Sequence, residues 1–179
     1  MPDRLYFTDS DEANALLASD PMALLLGCAL DQRVTVRKAF EGPQALKERL
    51  GSIDAGTLAS ADLEPVFMAR PPIHRYPKVM AKRIHELAVH VRDRYGGDAA
   101  RIWSEAADTE ELRANLMGLP GFGEMKVKGI AAVLAKHFHV ETARELVPWH
   151  PTLGDVDSPQ ALDDYEAEKR VHKQEWSRR

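Results

Sequence analysis

Apolar positions recur at helical spacing along most of this chain, and nowhere do they alternate as a half-buried strand would. In Glu124–Phe138, the residues Val127, Ile130, Ala131, Leu134 and Phe138 fall at i, i+3, i+4, i+7 and i+11, one stripe of an amphipathic helix. Lys78–Tyr95 repeats the pattern with Ile84, Leu87, Ala88, Val91 and Tyr95, and Gly96-Gly97 ends it. Thr109–Leu116 carries Leu112 and Leu116 four apart. Met22–Leu30 (MALLLGCAL) has almost no polar residue, so it predicts a helix buried on all sides, with Ser19-Asp20-Pro21 as its start. Ser10–Ala18 predicts a short helix capped by Ser10 or Asp9. Arg37–Leu50 reads as two short helical turns joined at Gly42-Pro43, and Asp54–Val66 as one or two more with Ser60 as a cap. Phe67–Pro77 holds three prolines and predicts a loop or bend. A last helix is expected over about Pro159–Trp176, packed through Leu162 and Tyr165 and fraying at Arg178-Arg179. The predicted fold class is all-α.

A chain of 179 residues with 44% hydrophobic content can bury a core as one domain or two small lobes. Charged residues make up 29%, which points to a soluble globular protein, and Met22–Leu30 is too short to span a bilayer. The first residues are polar and acidic, unlike a signal peptide. The single cysteine, Cys28, allows no internal disulfide, fits a cytoplasmic address and excludes a four-cysteine iron–sulfur cluster within the chain. It reads as a small core residue. The seven histidines are scattered, with no HExxH spacing, and no GxxxxGK[ST], GxGxxG or GxSxG is present. No zinc site, no nucleotide cofactor and no hydrolase elbow is expected.

Leu116–Val140 organises the rest: a helix, a tight hairpin LPGFG and a second helix. Gly121 and Gly123 can adopt positive φ and let another backbone come close. The open amides of the second helix favour an anion, and Lys126 and Lys128 sit in its first turn and a half. A phosphate diester fits there; so does the plainer reading of an αα-hairpin with glycines for a sharp turn. The net charge of −4 does not advertise a nucleic-acid binder. Arg70–Arg94, however, holds seven Lys/Arg against Glu86 and Asp93, a local +5, which suits weak DNA binding or a solvated helix face.

Leu119-Pro120-Gly121-Phe122-Gly123 resembles the hairpin of the helix-hairpin-helix (HhH-GPD) DNA glycosylases of base-excision repair. Two more features resemble that family in the same order. The buried helix ends in Leu30-Asp31-Gln32-Arg33-Val34-Thr35, similar to its L-[GS]-x-Q-x-[TS] pattern, with Asp31 in place of the usual small residue. Lys78–Gly97 is similar to its helix ending in YGG. The resemblance is clearest over 22–140 and treats 1–179 as a single domain with a divergent loop and C-terminal helix over 141–179. It implies a monomeric protein that binds double-stranded DNA. Gly121, Phe122, Gly123, Glu124 and Lys126 would grip the backbone, Gln32 and Arg33 would approach the gap left by an extruded base, and the carbonyls of Met117, Leu119 and Phe122 would hold a monovalent cation.

The family's catalytic aspartate follows the second hairpin helix after a Gly/Pro loop, and stabilises the sugar cation as the N-glycosidic bond breaks. The usual spacing here lands near Ala143. The first aspartates, Asp155 and Asp157 in PWHPTLGDVDSP, come about a dozen residues late. Either Asp155 (or Asp157) is delivered to the site by an insertion, or both serve the start of the last helix. Where lyase-active members carry a lysine, this chain has Met125, so no efficient lyase activity is expected. Trp103 and Trp149 read as buried core residues, with stacking on a flipped base as the alternative. Three functions stay open: a monofunctional DNA glycosylase for a damaged base, such as an alkylated one; a non-catalytic DNA-binding protein that lost the aspartate; and a helical interaction domain.

Overall fold

The structure is a computed structural model that describes residues 1–176 and Arg178. Among these residues every regular element is helical. Ten α-helices follow one another: α1 (Asp11–Ser19), α2 (Pro21–Leu30), α3 (Val36–Leu50), α4 (Ala55–Ser60), α5 (Leu63–Met68), α6 (Pro77–Tyr95), α7 (Arg101–Ser104), α8 (Thr109–Met117), α9 (Glu124–His137) and α10 (Pro159–Trp176), with 3-10 turns at Glu141–Leu146 and Leu153–Asp155. The expected fraying at Arg178-Arg179 falls partly outside the described residues.

The molecule is built around α2. Nine of its ten residues are buried, all but Pro21 at its start. Asp20 caps its first turn through Met22 N–H. Around it pack α1, α3, α6 and α9, while α4 and α5 lie against α6. On α6 the buried face is Met80, Ala81, Ile84, Leu87, Ala88 and Val91, the stripe the periodicity predicts, and Gly96 at φ 61° stops the helix. No single helix is long and apolar enough to cross a membrane; α1 and α2 together would be, but they meet at 114°.

Three predicted elements differ. Arg37–Leu50 is one continuous helix, not two turns, and runs through Pro43. Proline costs a helix interior about 3 kcal/mol. Burial of Val36, Ala39, Phe40 and Leu46 on one face, against α2, outweighs that cost. Ser60 caps nothing: it is the last residue of α4, and its hydroxyl donates back to Gly56, while Asp54 caps α4. Trp149 is exposed, not a core residue. The Glu141–Leu146 and Leu153–Asp155 turns pack on α9. Gly154 sits so close that a Cβ there would lie 2.6 Å from the backbone oxygen of Ala132.

Candidate nucleic-acid interface

The site forms where the buried helix α2 runs out. A helix leaves its last carbonyls without internal partners, and here side chains from two other segments answer two of them. Lys126 of α9 donates to the Ala29 carbonyl at 2.7 Å. The buried imidazole of His74 lies 3.0 Å from the Leu30 carbonyl through Nε2, and its Nδ1 accepts the Tyr76 amide at 3.0 Å. Nε2 therefore carries the hydrogen, and burial lowers the proton affinity of His74 below the ordinary value. Gln32, two residues past the helix, accepts from the guanidinium of Arg83 on α6. Arg83 in turn packs under the hairpin: a Cβ on Gly121 would stand 2.7 Å from Arg83 Cδ. One residue thus ties the Gln32 loop to the hairpin, and nothing in its spacing marks it out from the other basic residues of 70–94.

In the hairpin, Gly121 takes φ 79°, the left-handed region that favours glycine. Gly123, which could also adopt positive φ, does not use that freedom; at φ −117° and ψ −174° it is extended backbone. A Cβ at Gly123 would meet nothing within 4 Å. The amide of Phe122 donates to the Leu119 carbonyl at 3.0 Å and closes the turn. That carbonyl keeps a second lone pair, so the turn stays compatible with a cation at Met117, Leu119 and Phe122. The Phe122 side chain is buried and can offer only backbone. No side chain caps α9, so the amides of Glu124, Met125 and Lys126 open it without helical partners. Glu124 pairs with Arg113. Lys126 points inward to α2, and burial followed by the nearby Arg83 charge lowers its proton affinity.

Beside this junction a cleft of about 1220 Å³ opens between the 31–36 loop, the start of α9, the 150–153 segment and α10. Eight lysines and arginines line it, including Arg33, Lys126 and Lys169, against the carboxylates Asp31 and Glu166. Asp31 holds Lys169 at 3.4 Å, and Glu166 holds Arg37 at 2.5 Å. Arg37 also reaches Asp9 and Asp163, and those carboxylates raise its already high pKa. Arg33 sits at the mouth with φ 57°, a conformation costly for a residue with a side chain. Cys28 lines the cleft but is inert: burial, with help from Asp31, pushes its thiol up to about 12. His150, Tyr165 and Trp176 also line the cleft, which spacing did not reveal.

Asp155 does not line this cleft; Thr152 and Leu153 of the same turn do. Its carboxylate closes a capping box, accepting the Thr152 amide at 2.8 Å, and its other oxygen pairs with Lys136 on the last turn of α9. Burial works to raise its pKa, but Lys136 and the Thr152 amide outweigh it and hold the carboxyl below the ordinary 3.8. Asp157 is exposed, and Ser158 rather than Asp157 caps α10 through the Ala161 amide at 3.1 Å. Among the described residues no group of three or more His, Cys, Asp and Glu could hold a metal.

No family model and no curated protein matches this chain. Among solved structures it is similar to endonuclease III trapped as a covalent intermediate with DNA, an estranged-adenine complex. The identity is 16% and the TM-score 0.47, over 91% of this chain and 84% of that one. A likeness this remote carries no statement about activity.

Proposed function

We propose that this protein binds duplex DNA at the 117–126 hairpin, takes an extruded base into the adjoining cleft and releases it as a monofunctional N-glycosylase. The observation that carries the reading is adjacency. The uncapped, glycine-opened start of α9 and the Gln32–Arg33 loop meet at the mouth of one basic cleft. Backbone amides there take a phosphate. Lys126, turned inward, supplies field rather than direct contact, while Arg33 is exposed at the edge. Asp155 is the proposed carboxylate; it lines a neighbouring recess with Lys136 and Trp149, on the same turn whose Thr152 and Leu153 line the cleft. Met125, exposed at the lyase-lysine position, offers no amine, so hydrolysis rather than strand nicking follows.

A second reading, a DNA-binding protein without catalysis, is favoured by one observation: both Asp155 oxygens are already engaged, by Lys136 and by Thr152. The deciding experiment is base release from duplexes that each carry one lesion (alkylated purines, hypoxanthine, uracil or an oxidised base), scored with and without hot alkali. Cleavage only after alkali is expected and names the substrate. Cleavage without alkali would assign a lyase amine, with the half-buried Lys126 the first suspect. No release, with binding intact, would establish the second reading.

A further inference from the structure

Among the residues that line the cleft stands His150, 6% exposed. Its ring is fixed on two sides. The Trp176 indole lies flat on its face, centroids 4.9 Å apart and planes 2° apart. Its Nδ1 is 2.9 Å from the Pro151 carbonyl, which can only accept, so in the neutral ring Nδ1 carries the hydrogen. That leaves Nε2 as a bare acceptor, and it is buried with no partner. A buried polar atom without a protein partner costs stability until a ligand or water supplies one.

The chemistry of the cleft says which class of ligand suits it. Its donors are in excess, from eight lysines and arginines. Five of its side-chain acceptors already hold a donor: Asp31 holds Lys169, Gln32 holds Arg83, Glu166 holds Arg37, Thr35 holds the Lys38 amide and Thr152 holds the Gly154 amide. A ligand that brings phosphate oxygens meets the cations. A ligand that brings an N–H on a planar edge meets Nε2 of His150. A nucleotide whose base presents an N–H edge brings both.

We propose that His150 is the base-reading residue of the cleft, accepting at Nε2 an N–H from the edge of the extruded base. Trp176 and the Pro151 carbonyl are positioning groups that hold the imidazole in register. The helix that carries Trp176 is joined to the body mainly by the Arg37 and Lys169 ion pairs and by Leu162, Tyr165 and Trp176. Because Nε2 is buried, contact with a base edge requires the last turn of this helix to shift. The inference rests on the DNA-binding reading above and adds the class of base: one with a free N–H, as against its N-methylated counterpart.

The test uses the full chain labelled with 15N in its histidine rings and in its backbone. It is titrated with duplexes carrying one deoxyinosine or one 1-methyldeoxyinosine, and in parallel one deoxyuridine or one 3-methyldeoxyuridine. His150→Phe, which keeps a ring for Trp176 to cover, assigns the Nε2 signal. The expected result is movement of that signal with an N–H base and none with its methylated twin. With a substrate base, His150→Phe should lower release by ~10- to 100-fold, the factor for one lost buried hydrogen bond, while plain duplex binds as to wild type. His150→Gln, which restores an acceptor, should recover part of that loss. If the backbone amides of 121–128 respond to DNA while Nε2 stays silent, or responds equally to the methylated twins, the role of His150 is overturned and DNA binding stands. If neither region responds, the DNA-binding reading falls and this inference with it.

Discussion

Arg33 and His74 show how single positions at the end of α2 separate stability from function. Arg33 holds a left-handed backbone that glycine adopts without strain. Arg33→Gly should therefore leave thermal stability unchanged or raised, while duplex binding weakens and its salt dependence becomes shallower by about one unit of slope if a phosphate contact is lost. Equal binding by the variant would remove Arg33 from the interface. His74 is a structural group: His74→Ala leaves the Leu30 carbonyl and Tyr76 amide without their partner and should cost about 1–3 kcal/mol in urea unfolding. His74, His90 and His137 all bind protons less readily than the ordinary 6.5, each chiefly because burial disfavours the charged ring. The unfolded chain then binds more protons below about pH 6.5, so the urea midpoint should fall from pH 7 toward pH 5. His74→Phe should flatten part of that slope. A midpoint that rose on acidification would contradict the burial of these rings.

The Leu153–Asp155 turn is the element on which the catalytic question rests. As a capping box docked on α9, it should lose about 0.5–2 kcal/mol in Asp155→Ala, read as a lower Tm. Because the folded pKa of Asp155 lies below 3.8, its contribution is present above that value and is lost as pH falls through the folded pKa, so the variant and wild type should converge in stability in acid. If Asp155→Ala lowers Tm but base release persists, its role is structural. Release abolished also in Asp155→Asn, with duplex binding kept, assigns it to the chemistry. This turn also marks where sequence reasoning ran out. Periodicity located α2, α6, α8 and α9 because each buries one stripe or all of its surface, and the hairpin because its composition is local. Arg83, His150 and Trp176 reach the site from other segments through tertiary packing, which no spacing encodes. Pro43 misled for the converse reason: a local helix-breaker yielded to the burial of Phe40 and its neighbours.

Across the whole molecule, an acidic chain lines one cleft with lysines and arginines from the 31–36 loop, α3, α9 and α10, and places many of its acids in ion pairs such as those of Arg37. The net charge of −4 thus hides a basic cleft next to an open helix start. The central claim is that this helix start receives DNA phosphate, and Gly123 offers the most direct test of it. The position is extended and empty-sided, so Gly123→Asp fits without strain and installs a good helix cap. It also puts a carboxylate where the phosphate would lie. The measurement is duplex affinity of wild type and Gly123→Asp across a salt series, alongside Tm. The account predicts a Tm equal to or above wild type, with affinity reduced by at least about tenfold at low salt and a shallower salt slope. Unchanged affinity in a variant that folds as well as wild type would contradict it.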